Sequence, residues 1–224
     1  MSAFETIEAG GKTTRLYWAG ETEQATPGTP GVVVFHPWWG LNDDALAYAE
    51  RLAAAGFAVV APDLYGGAVT SVIDEADRLS SSIDEPAADA IALSAVDRLA
   101  AALGPSSKLA ALGFSMGGAW AMWSPAERDR LVASVVYYGS ISGPSLARAH
   151  VPVLGHFAEM DAYETEEGIV AFEAALRTAG RDAVFHRYPG TGHWFAEPSR
   201  DAYRRDAADL AFDRTVAFLS ERLG

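Results

Sequence analysis

Short, strongly apolar segments alternate along the chain with segments that have the spacing of amphipathic helices. This alternation is typical of an α/β fold, in which helices cover both faces of a mostly parallel sheet. Continuous apolar runs are expected where strands are buried on both faces. The sequence predicts a sheet of about seven or eight strands, including strands at 13–18, 31–36, 57–61, 107–113, 132–138, 151–157 and 183–188.

Capping residues and apolar periodicity mark the helices. Asn42 is a favourable N-cap, and Ser82 and Glu85 have the spacing of a capping box. The last helix has apolar residues at spacings of four, four and three, which should pack on the sheet. Together these signals predict helices over 43–55, near 86–103, near 164–179 and over about 201–222.

The chain has 224 residues, half of them hydrophobic and none of them cysteine. A chain of this size and composition suits one domain, 1–224, and we find no linker or repeat that would divide it. Because cysteine is absent, disulfides, thiolate metal sites and a cysteine nucleophile are excluded.

Acidic residues outnumber basic ones, 30 to 17, which gives a formal net charge of −13. This charge disfavours nucleic acid and anionic lipid as partners. No run of about 18 apolar residues predicts a membrane span, and the first residues lack the pattern of a secretory signal. We therefore expect a cytoplasmic protein, a monomer or weak homodimer, that acts on a small molecule.

The motif GFSMGG at 113–118 is the first pattern that indicates chemistry. It follows the apolar run LAAL and precedes the helix-compatible segment AWAMW. This strand–turn–helix context is that of a nucleophile elbow, in which a strained turn lifts a serine hydroxyl above the sheet and glycines allow close packing. The alternative is a tight turn with an incidental serine. We interpret Ser115 as the nucleophile.

A serine nucleophile needs a histidine base. Among the downstream histidines, His156 and His186 fall within predicted strands, and His150 precedes a strand at the opposite edge of the sheet. His193 instead lies in the glycine-rich loop PGTGHWF, at the carboxyl edge where ligands bind in open α/β sheets. We interpret His193 as the base, with His36 as the next histidine to consider.

The base needs a carboxylate that orients it. Asp161 follows the strand predicted at 151–157, at the same edge of the sheet, and Glu159 is its competitor. The alternative role for Asp161 is the N-cap of the helix near 164–179. We interpret Asp161 as the acid of a Ser–His–Asp triad.

Together these segments resemble the dienelactone hydrolase family over nearly the whole chain. The resemblance implies an α/β-hydrolase fold without a large lid, with Ser115, His193 and Asp161 as the catalytic triad. It also implies an oxyanion hole formed by the backbone N–H groups of Met116 and Trp38. The segments that carry the resemblance are HPWWGLND, FAVVAPDLYGG, GFSMGG, HFAEMDAYE and GTGHWF.

The chain departs from that family at four positions. Ser115 stands where the usual nucleophile is cysteine, and Pro37 stands at a glutamate that usually helps to activate the thiol. Gly67 and Glu197 stand at two arginines that hold the carboxylate of dienelactone. A serine that works through histidine does not need the glutamate. Without the arginines, an anionic substrate has no obvious partner and meets the charge of Glu197.

Two tryptophans near these motifs, Trp38 and Trp194, are expected at the site. A largely aromatic pocket with little positive charge favours a neutral, partly apolar acyl or lactone group. Arg148 and Arg200 are the cations that would reverse this preference if either lined the pocket. The expected pocket residues are Pro37, Trp38, Gly67, Trp194 and Glu197.

The expected reaction is acyl transfer from an ester or lactone to water through an acyl-serine. No cofactor and no metal are expected, since the histidines lack the close pairing of a zinc site. Two alternatives stay open. One is a non-catalytic α/β-hydrolase fold that binds a ligand or a partner. The other is a perhydrolase, thioesterase or peptidase, because all three share the acyl-enzyme and differ in the groups that the pocket accepts.

Overall fold

A computed structural model of the chain describes residues 2–20, 26–142 and 150–224. Within these residues, eight strands form one sheet. The strands are β1 (Ala3–Ala9), β2 (Lys12–Ala19), β3 (Gly31–Phe35), β4 (Ala58–Pro62), β5 (Leu109–Phe114), β6 (Leu131–Tyr137), β7 (Val153–Ala158) and β8 (Ala183–Tyr188).

The strand order across the sheet is β1-β2-β4-β3-β5-β6-β7-β8. The strand β2 pairs antiparallel with β1 on one side and with β4 on the other. All remaining pairings, from β4–β3 to β7–β8, are parallel. The predicted mostly parallel α/β sheet is therefore confirmed, and the seven predicted strands end within about two residues of the ends of β2 to β8.

The sequence does not predict β1. Only Ile7 of this strand is buried, because β1 lies at the edge of the sheet and pairs with β2 alone. It therefore lacks the continuous apolar run that identifies the central strands. The turn between β1 and β2 uses Gly10 and Gly11, whose φ values are +59° and +72°, a conformation that glycine adopts without steric cost.

Helix starts agree with the capping signals at one position and not at another. Asn42 caps the first helix, where its side chain accepts a backbone N–H at 3.0 Å. The capping box predicted from Ser82 is wrong, because Asp84 caps the helix that begins at Glu85. The helices in the described part of the chain are α1 (Asp43–Ala54), α2 (Ile73–Ser81), α3 (Glu85–Leu103), α4 (Gly117–Glu127), α5 (Glu166–Thr178) and α6 (Arg205–Leu223).

The core has two layers, one on each face of the sheet. The helices α3, α4 and α5 cover one face, and α1 and α6 cover the other. In β3, Val33 and Phe35 contact the first layer while Val32 and Val34 contact the second, as the two-residue period of a strand requires. Burial on both faces is the reason that the central strands read as continuous apolar runs.

The carboxyl ends of the parallel strands meet at one edge of the sheet. The loops after β3, β5, β7 and β8 carry Trp38, Ser115, Asp161 and His193 respectively. Four loops that are far apart in the sequence therefore converge where ligands bind in open α/β sheets. Among the described helices, none combines the length and the hydropathy needed to cross a bilayer.

Candidate active site

Ser115 lies in the sharp turn between β5 and α4. Its φ is +48°, in the left-handed region that costs a residue with a Cβ about 1–3 kcal/mol. Two hydrogen bonds hold the turn, from Ser115 N–H to Tyr137 O at 2.8 Å and from Gly118 N–H to Ser115 O at 2.9 Å. The residue is partly exposed. This is the strand–turn–helix geometry that the motif predicts.

Glycines allow the serine turn to pack closely on the neighbouring strands. A Cβ at Gly113 would collide with the Gly117 carbonyl, and a Cβ at Gly117 would collide with the carbonyl of Phe35 on β3. Beyond β6, a Cβ at Gly139 would lie 2.6 Å from the carbonyl oxygen of Ser115. Any larger residue at these positions would push the turn away from the sheet edge.

His193 lies between Ser115 and Asp161 and is hydrogen-bonded to both. Its Nε2 is 3.0 Å from Ser115 Oγ, and its Nδ1 is 2.8 Å from each carboxylate oxygen of Asp161. The side chains of His193 and Asp161 are only 4% and 1% exposed. Such burial strengthens an electrostatic contact because little water competes for it. The structure therefore brings together the three residues that the sequence singled out.

Backbone N–H groups orient the Asp161 carboxylate. Its Oδ1 accepts from Tyr163 N–H at 2.8 Å and from Glu164 N–H at 3.0 Å. The alternative role for Asp161, as a helix N-cap, is wrong, since α5 begins at Glu166 and Thr165 caps it. A carboxylate in this position favours a proton on Nδ1 of the imidazole, which leaves Nε2 free to accept the serine proton.

The competing residues have other partners. Glu159 accepts a hydrogen bond from Gly190 N–H at 2.8 Å. Both ring nitrogens of His36 are occupied, since Nδ1 is 2.7 Å from the Pro37 carbonyl and Nε2 accepts from Leu64 N–H at 3.1 Å. Burial lowers the pKa of His36. A buried imidazole with two backbone partners is a structural residue, because acting as a base would break one of these hydrogen bonds.

Met116 and Trp38 are the residues expected to form an oxyanion hole. Met116 follows Ser115 and has helical φ and ψ of −48° and −42°, so its N–H belongs to the N-terminal end of α4. Trp38 lies in the loop after β3. Neither backbone N–H donates a hydrogen bond to another described residue. Both donors are therefore available to a substrate oxygen.

Three aromatic residues, Trp38, Tyr163 and Trp194, form a wall beside His193. The ring centroids of Tyr163 and Trp194 lie 4.9 and 5.2 Å from the imidazole. Trp38 stacks on Trp194 at 6.1 Å and meets Tyr163 edge-on at 5.7 Å. The structure thus places both expected tryptophans at the site. The sequence motifs do not predict a role for Tyr163, which is 49% exposed and lies only two residues after Asp161.

Glu197 does not take the role that the sequence suggests. The residue is only 3% exposed, and its Oε1 accepts a hydrogen bond from the Tyr138 hydroxyl at 2.9 Å. Burial raises the pKa of Glu197 to about 8, so the carboxyl is mostly uncharged at neutral pH. The expectation that Glu197 meets a substrate as an open negative charge is therefore wrong. Pro37 lines the same small internal cavity as Glu197.

Gly67 lines a surface cavity that is also lined by arginine side chains. Its φ is +105°, and a Cβ there would lie 3.7 Å from Nη2 of Arg15. Arg15 and Arg200 line this cavity together with two aspartates of α1, and Arg15 pairs with Asp63 at 2.8 Å. Arg200, one of the two candidate cations, therefore lies in the same cavity as Gly67, and Arg15 approaches it from β2. Arg148, the other candidate cation, lies outside the described residues.

A second carboxyl adjoins the site and was not singled out from the sequence. Glu164 donates its backbone N–H to Asp161, and its carboxylate accepts a hydrogen bond from the Ser140 hydroxyl. Burial raises the pKa of Glu164, although the hydrogen bonds from Ser140 and the nearby His193 oppose the rise. The available signal was its position three residues after Asp161. Only the fold shows that the segment after β6, which carries Ser140, meets this loop.

The arrangement as a whole is suited to acyl transfer. It offers a hydroxyl on a strained turn, an imidazole, a buried carboxylate and two backbone donors without a partner among the described residues, which are the groups needed to attack a carbonyl and stabilise an oxyanion. Among the described residues, no group of three or more histidine, aspartate or glutamate side chains is placed to hold a metal ion.

A model of the family described as "Dienelactone hydrolase family" matches residues 16–223. The match therefore includes Ser115, Asp161 and His193. Protein usf of Aquifex pyrophilus is 32% identical to this chain over 212 residues, which cover 89% of this chain and 92% of that protein.

Solved structures show the same architecture. A dienelactone hydrolase-like promiscuous phosphotriesterase from metagenomic libraries has 26% sequence identity and a TM-score of 0.86, and the match covers 100% of this chain and 99% of that chain. A cold-adapted esterase from an Arctic intertidal metagenomic library has 20% identity and a TM-score of 0.73, with 100% and 94% covered. The second similarity concerns the fold alone.

Proposed function

The chain belongs to the dienelactone hydrolase family and is a carboxylic ester hydrolase, and from this premise we propose that it cleaves small neutral esters or lactones through an acyl-enzyme on Ser115. The observation that carries the proposal is the series of hydrogen bonds from Ser115 through His193 to Asp161. A hydroxyl in this arrangement loses its proton to the imidazole as it attacks a carbonyl.

In the acylation step, Ser115 Oγ bonds to the carbonyl carbon while its proton passes to His193 Nε2. An electron pair moves onto the carbonyl oxygen, where the N–H groups of Met116 and Trp38 stabilise it. One such donor is typically worth about 3–4 kcal/mol. Asp161 stabilises the charged imidazole. The bond to the alkoxy oxygen then breaks, and this oxygen takes the proton from His193. In a lactone, the resulting alcohol stays attached to the acyl group.

In the deacylation step, water replaces the alcohol. His193 takes a proton from water as the water oxygen bonds to the acyl carbon. The tetrahedral intermediate collapses, the bond to Ser115 Oγ breaks, and the serine recovers the proton from the imidazole. The products are a carboxylic acid and the unchanged enzyme, so one water is consumed for each ester cleaved.

The surroundings of His193 favour a neutral, partly apolar substrate. The aromatic wall is uncharged and offers apolar surface. Asp161 and Glu164 are the carboxyl groups nearest to the imidazole by their contacts, and the chain has a formal net charge of −13. Arg15 and Arg200 line the cavity that contains Gly67, and among the described residues no arginine or lysine is hydrogen-bonded to His193 or stacked on the aromatic wall. An anionic ester beside the imidazole would therefore lose hydration without gaining a cationic partner there.

A substrate panel tests this proposal. We expect p-nitrophenyl acetate and a γ-lactone to be hydrolysed by the wild type and not by Ser115→Ala. A p-nitrophenyl hemisuccinate of matched length should have a kcat/KM about tenfold lower, the loss expected for one missing charge-assisted contact. A kcat/KM that is higher for an acyl thioester, for a peptide or for transfer to hydrogen peroxide would replace the proposal by the corresponding alternative. Ligand binding without turnover of any acyl substrate would indicate a non-catalytic fold.

A further inference from the structure

Tyr138 contacts His193 but takes no part in the acyl-transfer steps. Tyr138 follows β6 and is buried, and its φ is +38°. Its ring centroid lies 4.9 Å from that of His193, and its N–H donates to the His156 carbonyl at 2.7 Å. A tyrosine held in the left-handed region at such a place indicates that its position is fixed by its surroundings rather than by its own preference.

The Tyr138 hydroxyl has one partner, the Glu197 carboxyl. Oε1 of Glu197 accepts from this hydroxyl at 2.9 Å, while Oε2 is buried and has no hydrogen-bond partner in the described part of the chain. Trp39 Nε1 also has no close partner in the described part of the chain, but this indole N–H lies near enough to Glu197 to favour the ionised carboxylate and oppose the rise in its pKa. The Glu197 N–H donates to the Trp194 carbonyl at 2.9 Å. Glu197 therefore lies in the same loop as His193.

The charged and titratable groups that face Glu197 would not balance a negative charge on its carboxylate. Asp44 at the start of α1 opposes ionisation, and Arg200 in the same loop favours it. The Arg200 guanidinium is committed elsewhere, since it stacks 3.6 Å above the Trp39 ring and donates to the Ser71 carbonyl at 3.2 Å. Tyr48 of α1 lines the same small cavity. An ionised carboxylate buried here would have only uncharged donors beside it, the Tyr138 hydroxyl and the Trp39 indole N–H, which is unfavourable.

Building on the proposed serine-hydrolase function, we propose that Glu197 is a positioning residue for His193. The uncharged carboxyl of Glu197 holds the Tyr138 ring against the imidazole. Asp161 then fixes the imidazole from its Nδ1 side, and Tyr138 supports its face. Both contacts keep Nε2 aligned with Ser115 Oγ.

Ionisation of Glu197 breaks this support. A carboxylate attracts water or a further donor into the cavity, because the phenol hydroxyl and the indole N–H beside it are uncharged and do not replace its hydration. Tyr138 then shifts, and the imidazole loses the contact on its face. A small misplacement of a catalytic group lowers kcat more than it raises KM, because substrate binding does not depend on Nε2. The buried carboxyl thus limits activity at alkaline pH.

The first test is the pH profile of kcat and KM for p-nitrophenyl acetate from pH 5.5 to 9.5. In the wild type, kcat should fall above about pH 8, with KM little changed. Glu197→Gln is uncharged and of the same shape, so it should rescue function: its kcat should stay within about threefold of the wild type at pH 7 and should not fall at alkaline pH. Glu197→Ala should lose about tenfold or more at every pH.

A matched control is Glu221→Gln, because Glu221 is an exposed glutamate in the last turn of α6. Its profile should coincide with that of the wild type. Two results overturn the proposal: wild-type and Glu197→Gln profiles that superimpose, or a Glu197→Gln variant that loses as much activity as Glu197→Ala while unfolding at the wild-type temperature.

The second test needs no turnover, so it separates a failure of this proposal from a failure of the proposed function. The Cε1–Hε1 NMR signal of His193, identified by its loss in His193→Asn, is followed from pH 5.5 to 9.5. We expect the wild type to show an inflection near pH 8 that is absent in Glu197→Gln and present in Glu221→Gln. If the protein hydrolyses no ester but its His193 signal shows the inflection, the proposed hydrolase function is refuted and the positioning of His193 by Glu197 and Tyr138 stands. A wild-type signal without the inflection refutes the positioning role whatever the activity.

Discussion

A histidine pairs with an aliphatic hydroxyl at the carboxyl edge of the sheet, and another histidine does so in the core. At the edge, His193 Nε2 is 3.0 Å from Ser115 Oγ. In the core, His156 Nε2 is 3.0 Å from Thr215 Oγ1. The two pairs have the same chemistry and the same separation. Their surroundings must therefore decide which pair reacts.

The group on the other ring nitrogen differs between the two pairs. His193 Nδ1 faces the carboxylate of Asp161, whereas His156 Nδ1 lies 2.7 Å from the Tyr188 hydroxyl. A carboxylate stabilises the charged imidazole that forms when a base accepts a proton, and a phenol does not. Burial holds the pKa of His156 well below its ordinary value. His156 is thus kept neutral in the core.

The hydroxyl groups also differ. Thr215 Oγ1 donates to the Ala211 carbonyl at 3.0 Å and lies 2.9 Å from the Tyr137 hydroxyl, so its proton is already used in a buried network. Ser115 lies on a strained, partly exposed turn, and its hydroxyl faces the imidazole. A histidine–hydroxyl pair therefore becomes a candidate nucleophile only with a carboxylate behind it, an uncommitted proton and access from solvent.

The largest expected difference between the two pairs is catalytic. Ser115→Ala and His193→Ala should each lower kcat/KM for a p-nitrophenyl ester by about 10⁶-fold, because nucleophile and base act as a unit. His156→Gln should change it by less than about tenfold, since the core pair only supports the fold. Steady-state kinetics with correction for the spontaneous reaction measure both effects. A large loss in His156→Gln, in folded protein, would show that the core pair takes part in the reaction.

Exchange of the carboxylate is expected to have the next largest effect. Asp161→Asn should lower kcat by about 10⁴-fold, because an amide favours the wrong imidazole tautomer while it keeps the shape of the side chain. Glu159→Gln is the matched control, since Glu159 accepts from Gly190 N–H instead. The kcat of both variants at pH 7 tests the role of each residue. Equal losses in the two variants would remove the distinction between Asp161 and its competitor.

The contributions of Glu197 and His156 to the free energy of unfolding should change with pH in opposite directions. The pKa of Glu197 is raised from 4.5 to about 8, so the folded state holds the proton more tightly and stability falls as pH rises from 4.5 to 8. This decline amounts to as much as about 5 kcal/mol. The pKa of His156 is lowered from 6.5, so its contribution is present above pH 6.5 and is lost as pH falls below it.

Urea unfolding between pH 4.5 and 9 measures these two slopes. Glu197→Gln should remove the fall in stability between pH 4.5 and 8, and His156→Gln should remove the loss below pH 6.5, each without changing the other. If Glu197→Gln leaves the free energy of unfolding with the wild-type dependence on pH, the buried carboxyl does not titrate in this range.

The smallest expected effect concerns stability alone. Thr215→Val keeps the shape of the side chain but removes a buried hydroxyl with three partners, so it should lower the free energy of unfolding by about 1–3 kcal/mol. Thr13→Val is the control, because the Thr13 hydroxyl bonds to Glu8 at the protein surface, and it should cost less than about 0.5 kcal/mol. A Thr215→Val variant as stable as the control would mean that the core network contributes little.

The central strands and the meeting of Ser115, Asp161 and His193 at one edge of the sheet could be predicted because both leave local signals. Doubly buried strands are continuously apolar, and a serine between glycines after such a strand predicts an elbow. Chain order and sheet edge then select Asp161 and His193. The edge strand β1 and the short helix α2 bury few residues, only Ile7 and Ala76 respectively. They therefore left no apolar pattern to detect.

The lining of the site could not be predicted because it depends on which way side chains point. Glu197 is a charged residue in a loop, and only the fold shows that it turns inward to Tyr138. Gly67 meets Arg15 from a strand that is distant in the sequence. The Ser82 capping box failed for a more local reason, since Asp84 competes for the same helix start. Packing and local competition, which a linear pattern does not record, decide each of these cases.

The most direct test of the account is covalent labelling of the nucleophile, read by intact mass. The wild type, Ser115→Ala and Thr215→Val are each treated with a fluorophosphonate under native conditions. The wild type and Thr215→Val should gain the mass of one adduct, and Ser115→Ala should gain none, because only the hydroxyl at the sheet edge is activated by an imidazole with a carboxylate behind it. An adduct that persists in Ser115→Ala, or a wild type that remains unlabelled, would contradict the central claim that Ser115 is the nucleophile.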